Sequence, residues 1–265
     1  MVIITPISRN QYMELIDTHV HLESVADLEG AIRRAAKAGV IAIIAVGSDY
    51  ESNMWILRES QKYGTRNLKI YPALGLHPWG LDVSRVDETI ELIEKNIDSI
   101  VALGEVGLDY WYKEARKSVE VKEMQKKAFW RILNLARGNN KPLSIHSRGA
   151  WMDCVNMVIE AGVKKAIFHW FSGPLEALKK LLDHGHYISA TPAATYSKEH
   201  RKVIELTPLE NIVLETDTPV IYMGEAAEPA HIIKALNAVA ELKGEKVEKV
   251  AEKTTETARK IFDIK

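Results

Sequence analysis

An α/β protein closed into a single-domain (β/α)8 TIM barrel is what the sequence predicts, on three observations. Eight short apolar runs alternate with helical patterns along the chain. The runs are rich in Ile, Val and Leu with little polar alternation, as parallel strands buried on both faces require. Eight such units in 265 residues match the usual size of the barrel, about 250 residues. A doubly wound open sheet shares these features, and the placement of polar residues separates the two.

The expected strands are Leu15–His21, Val40–Gly47, Leu68–His77, Ile100–Glu105, Pro142–His146, Ala166–Phe171, His186–Ala190 and Ile212–Asp217. After the first, Ser24 is placed to cap a helix on which Val25, Leu28, Ile32 and Ala36 recur at helical spacing, with Gly39 as its stop. Ser172, with Pro174 in the first turn, opens another helix through Leu178, Leu181 and Leu182 to Gly185. The tail repeats the pattern with Val247, Val250, Ala251, Thr254, Ala258, Ile261 and Phe262. No Pro/Gly/Ser-rich linker, low-complexity tract or repeat divides the chain, so residues 1–265 read as one domain.

At 46% hydrophobic and 27% charged, the chain can bury a core without staples, which excludes disordered and disulfide-dependent classes. Lysine and arginine number 35 against 36 acidic residues, a net charge of -1, so a polyanion would have to be met by a local patch. The single cysteine, Cys154, excludes internal disulfides and thiolate clusters and fits a reducing interior. It falls on a helical pattern with Trp151, Val155 and Val158, where burial is expected. No apolar run approaches the roughly 20 residues of a membrane span, and no leader pattern opens the chain, so a cytoplasmic location is expected.

His19 and His21 stand at i and i+2 on the first strand, so both imidazoles project to one side and can meet one cation. The same spacing at His184 and His186 spans a helix end at Gly185 and reads as structural. His200 and His231 fall on helical segments as surface or packing residues. The decisive feature is that Glu105, His146, His169 and Asp217 also lie where strands end, on the face where barrel loops build active sites. Four histidines and two carboxylates converging there point to a binuclear metal site, because such groups left unpartnered at apolar strand ends would be costly to bury.

The segments Asp17-Thr-His19-Val-His21, Gly75-Leu-His77-Pro78, Gly104-Glu105-Val-Gly107-Leu108-Asp109, Ile145-His146-Ser-Arg148, His169-Trp-Phe171-Ser-Gly173 and Glu215-Thr-Asp217-Thr-Pro219 resemble the TatD-like family of metal-dependent hydrolases, within the amidohydrolase superfamily. The likeness runs from about residue 15 to 262. It implies a TIM-barrel phosphodiesterase or DNase with two divalent ions, of zinc, manganese or magnesium. His19, His21 and Asp217 would hold one ion and His146 and His169 the other, with Glu105 bridging. The chain departs from the family pattern at three places. Trp170 stands where the family has cysteine, Ala226-Ala227 replace an Arg-Asn pair, and Thr257 replaces an asparagine.

In such a centre Asp217 is the expected acceptor of a proton from a water whose pKa a cation pair lowers, and Glu105 supplies charge and sets the metal spacing. His77 is expected to contact substrate or stand behind the metals, with a hydrogen bond to a loop carbonyl as the plainer alternative, and Arg148 to contact substrate through its planar fork, with a rim salt bridge as the plainer alternative. Tyr110-Trp111-Tyr112 offers rings for stacking on unpaired bases, or simply covers the core. Lys113, Arg116, Lys198, Arg201 and Lys202 are candidates for a positive patch. The substrate expected is DNA or another phosphodiester. Hydrolysis of a small amide, ester or aminoacyl bond on the same scaffold, and a non-catalytic barrel used as a binding module, remain the alternatives.

Overall fold

The structure is a computed structural model and describes residues 13–81 and 83–265. Residues 1–12, where the sequence expects no leader pattern, lie outside the described residues. The elements follow in the order β1 (Leu15–Val20), α1 (Leu28–Lys37), β2 (Val40–Val46), α2 (Tyr50–Glu59), β3 (Lys69–Leu76), α3 (Val83–Lys95), β4 (Ala102–Gly107), α4 (Val119–Asn139), β5 (Leu143–His146), α5 (Trp151–Ala161), β6 (Ala166–Phe168), α6 (Leu175–Asp183), β7 (Tyr187–Ala190), α7 (Lys198–Leu206), β8 (Ile212–Leu214), β9 (Ile221–Tyr222), β10 (Glu225–Ala226), α8 (Ile232–Lys243) and α9 (Val247–Phe262).

Strands β1 to β8 form one parallel sheet in chain order, so the expected barrel stands and the open doubly wound sheet does not. Closure from β8 to β1 is thin. It consists of one parallel bridge, Val20–Thr218, with the His21 amide donating to the Thr218 carbonyl at 2.9 Å and the Asp217 amide to the His19 carbonyl at 3.0 Å. Side chains complete it: the Asp17 carboxyl accepts from the Thr216 amide at 2.9 Å, and the Thr18 hydroxyl donates to the Leu214 carbonyl at 3.0 Å. Burial pushes the Asp17 carboxyl well above its usual range, so this group adds little charge beside the site.

Apolar side chains fill two layers. The larger lies between sheet and helices, with Phe129, Phe168 and Phe171 fully or almost fully buried. The second joins Ile16, Ala42, Ile44, Val46, Ala73, Ala102, Ile167 and Val213 to Ala258, Ile261 and Phe262 of α9. That helix therefore plugs the barrel at the strand beginnings, and Lys165 pins it by donating to the Lys260 carbonyl at 2.7 Å. The opposite end is left for polar side chains.

Two helix starts differ from expectation. Asp27, not Ser24, caps α1, its carboxylate accepting from the Gly30 amide at 3.1 Å, while Leu22–Ser24 form a 3-10 turn. Pro174, not Ser172, is the N-cap of α6, since a fixed ring torsion suffices to start a helix without a side-chain acceptor. The tail helix has the expected extent. Cys154 is buried on α5 as expected. Among the described residues no helix is long and apolar enough to cross a membrane.

Candidate metal centre

Local strand geometry brings the polar residues together. Ile16 and Ala102 belong to the inner apolar layer, yet His19 and Glu105 lie an odd number of residues further along and would face away from it in regular strands. Register shifts between Asp17 and Val20 in β1, and between Leu103 and Val106 in β4, turn them back into the mouth. Gly75 makes room for the second bulge. The Glu105 amide donates to the Gly47 carbonyl at 2.7 Å, and a Cβ on Gly75 would sit 2.3 Å from the Glu105 nitrogen and 2.4 Å from that carbonyl. At β8, Asp217 adopts a φ of 51°, and Trp170, after β6, a φ of 40°. Such left-handed residues commonly mark functional sites.

The other five predicted ligands gather about Glu105. Its Oε2 lies 3.4 Å from His19 Nε2 and 3.2 Å from His21 Nε2, and its Oε1 lies 2.7 Å from His146 Nδ1 and 2.9 Å from His169 Nε2. Asp217 Oδ1 is 3.8 Å from His19 Nε2 and 3.7 Å from His21 Nε2. Nitrogen faces nitrogen at 3.3 Å between His19 and His21, and at 3.4 Å between His146 and His169. Donors around a tetrahedral ion with bonds near 2.1 Å stand about 3.4 Å apart. The spacing and the imidazole–carboxylate set therefore fit a divalent cation.

The outer nitrogens strengthen that fit. Each ring has its other nitrogen held: His19 Nδ1 by the Ser144 hydroxyl at 2.9 Å, His21 Nδ1 by the Ser48 hydroxyl at 3.4 Å, His169 Nδ1 by the Glu215 carboxylate at 3.3 Å, and His146 Nε2 by the Asp109 carboxylate at 2.9 Å. Such partners set the tautomer and aim the remaining lone pair at a metal. Sequence reasoning assigned none of the four this role. Ser144 and Glu215 stand two residues before a predicted ligand inside apolar runs, and a polar side chain there without a partner would be costly. That cost was the available signal.

His77 behaves differently. Its Nδ1 accepts the Trp79 amide at 3.1 Å, so the ring carries its proton on Nε2 and directs it at Glu105 Oε1, 3.2 Å away. Burial lowers its pKa, which keeps it a neutral donor. Arg148 sits on the rim, its Nε 3.0 Å from Asp109 Oδ2 and its guanidinium carbon 5.1 Å from the centre of the Trp79 ring. The plainer expectation, a rim ion pair, is what the geometry shows.

Charge in the cluster is strongly biased. Burial alone would raise Glu105, but the charges and hydrogen bonds of His77, His169 and His146 outweigh it and hold the carboxylate well below its usual range. Burial lowers His19 to about 4, whereas His21 is pushed up to about 9, its burial outweighed by Glu105 and Asp217. Asp217 is raised to about 7 by burial. The field of Glu105 thus calls for positive charge at the ring nitrogens around it, and a divalent cation meets that demand.

Other expected features divide. His184 Nδ1 donates to the Lys180 carbonyl, 2.8 Å away at the end of α6, and His186 is buried, both apart from the cluster. His200 is wholly buried between the Phe171 carbonyl and the Thr191 amide, and His231 sits beside Glu225 and Glu228. Tyr110 turns away from the mouth to donate to Asp153 at 2.6 Å, so it offers no ring for stacking there. Lys113, Arg201 and Lys202 lie beside Glu114, Glu241 and Glu205, which dilutes the expected positive patch. Trp170 packs on Tyr222 with ring centres 5.2 Å apart, and the Thr257 hydroxyl donates to the Glu210 carbonyl at 3.2 Å.

Comparison with known proteins agrees with a metal-dependent hydrolase. Residues 16–263 match the family model described as TatD related DNase. Deoxyribonuclease TATDN3 of Homo sapiens is 32% identical over 262 residues, covering 94% of this chain and 94% of that one. The uncharacterized metal-dependent hydrolase YabD of Bacillus subtilis is 31% identical over 266 residues, covering 94% and 99%. The crystal structure of YJJV, a TatD homologue from Escherichia coli K12, superposes with a TM-score of 0.84 at 25% identity, over 96% of this chain and 100% of that one.

Proposed function

The chain belongs to the TatD-related DNase family, and from that membership we propose that it is a deoxyribonuclease or phosphodiesterase working with two divalent ions of zinc, manganese or magnesium. In this reading His19, His21 and Asp217 would hold one ion, His146 and His169 the other, and both would share Glu105. The observation that carries it is that four imidazoles have their outer nitrogens tied down and their inner nitrogens gathered on the two oxygens of one carboxylate. Residues 1–265 act as one catalytic domain, in the cytoplasm, where a buried thiol such as Cys154 stays reduced.

Ions so held supply a water of lowered pKa and neutralise charge on the phosphoryl group. The protein's own groups do the rest. Asp217 accepts the proton and returns it to the leaving oxygen; without an ion beside it, burial raises its carboxyl to about 7. A cation beside it would favour the ionised, proton-accepting form. Glu105 keeps its charge through the cycle. His77 presents a neutral N–H toward the mouth, and Arg148 offers its fork to a phosphate.

The test is metal content together with release of nucleotides from single-stranded DNA. Asp217→Asn is expected to lower kcat by about 10²–10⁴ while the circular-dichroism spectrum is kept. Glu105→Gln is expected to lower bound metal as well. An Asp217→Asn protein as active as the parent, or turnover of amides and esters with none on DNA, would remove the nuclease reading.

A further inference from the structure

The rim beside His146 carries an exposed aromatic group that the barrel does not need. Trp79 follows β3 and leaves 46% of its surface in water, while its indole N–H is bound to the buried Asp109 carboxylate. The Tyr112 ring lies nearly parallel to it, at 14° and 5.8 Å between centres. The guanidinium of Arg148 lies 5.1 Å from the indole centre and is 44% exposed. Asp109 engages its Nε, and among the described residues no hydrogen bond is seen from its other two nitrogens. Tyr112, Trp79 and Arg148 thus form a stack of flat groups joined to a cation.

The stack is built into the metal centre. Asp109 is wholly buried and binds five groups at once. Its Oδ1 accepts the Trp111 and Tyr112 amides at 2.9 Å each, and its Oδ2 accepts Trp79, Arg148 and His146 Nε2. One carboxylate therefore fixes a candidate metal ligand, an indole and a guanidinium in a single arrangement. The Trp79 ring centre is 5.9 Å from that of His146 and 4.8 Å from that of His77. A flat face of this kind binds any nucleobase, because every base has a π surface, and the neighbouring cation meets the phosphate that comes with it.

We propose that Trp79, backed by Tyr112 and paired with Arg148 on the Asp109 carboxylate, is the residue that grips the nucleobase next to the scissile phosphodiester. Trp79 stacks on the base, Arg148 contacts the adjoining phosphate, and Asp109 is a positioning residue that keeps both in register with His146. The proposal rests on the phosphodiesterase reading above and adds to it the group of the substrate that is recognised and the side chain that recognises it.

The test compares a short single-stranded oligodeoxynucleotide with an abasic strand of equal length and charge. Binding is followed by fluorescence anisotropy in an Asp217→Asn background, and kcat and KM are measured in the otherwise native chain. Trp79→Leu is expected to weaken binding of the base-bearing strand about tenfold. Binding of the abasic strand should stay within about twofold, and KM should rise with little change in kcat. Trp79→Phe, which keeps a π face, should restore most of the loss. Equal affinity of Trp79→Leu and parent for the base-bearing strand overturns the proposal. So does an equal loss on both strands, which would make Trp79 part of the scaffold. Should the native, metal-loaded chain cleave no phosphodiester yet still bind bases through Trp79, the nuclease reading falls and the grip stands.

Discussion

His200 shows how one side chain can shape behaviour without touching chemistry. It is wholly buried, faces the Phe171 carbonyl at 2.9 Å, and accepts the Thr191 amide at 3.1 Å, so both ring nitrogens are used while the ring is neutral. Burial lowers its pKa from 6.5 to about 4. Above pH 6.5 neither the folded nor the unfolded chain is protonated there. As pH falls from 6.5 to 4 the unfolded chain takes up a proton that the folded one refuses, and stability is lost over that window by about 3 kcal/mol. His200→Gln, whose amide can serve both partners, should be less stable than the parent at pH 7.5 and lose less between pH 7.5 and 4.5 in urea unfolding. Parallel pH profiles for the two proteins would refute this. At this scale much was legible, since the six candidate ligands were visible as polar residues ending apolar runs. Asp109 and Glu215 were harder to assign, because a carboxylate that orients a ligand and one that binds metal look alike in sequence.

Among the elements, the turn from β2 into α2 joins stability to the site. Asp49 accepts the Ser52 amide at 2.8 Å, and the Ser52 hydroxyl accepts the Ser48 and Asp49 amides at 2.9 Å each, a reciprocal cap on α2. Ser48, inside this turn, is the residue that holds His21 Nδ1. Asp49→Ala should cost about 1 kcal/mol in denaturant unfolding, without change in the barrel's circular-dichroism spectrum. A loss below about 0.3 kcal/mol would show that water replaces the cap. All eight strands were legible because a buried parallel strand is a continuous apolar run. The bulges in β1 and β4 were not, since one extra residue in a ladder leaves no mark in composition. The starts of α1 and α6 were misread because serines near a helix start compete with Asp27 and Pro174, and only the backbone geometry chooses between them.

At the level of the whole molecule, barrel closure was legible from size, from polar residues gathered at the strand ends and from the family likeness, because nothing in an eighth apolar run by itself states that it returns to the first. The return is made at the thinnest part of the sheet, where Val20 and Thr218 share the single bridge and three-residue β8 contributes little else. The candidate ligands straddle that seam, His19 and His21 on one side and Asp217 on the other. An ion held by all three would therefore be a buckle as well as a reagent: it would fasten the two margins of the sheet across a gap that peptide hydrogen bonds scarcely cover. Stripping it with a chelator should lower Tm by about 5–10 °C relative to protein in metal at a hundredfold excess over Kd. The exchange of the His21 and Asp217 amides should quicken before that of the amides in β3, and uniform quickening around the barrel would mean that the strap is not where the sheet comes undone.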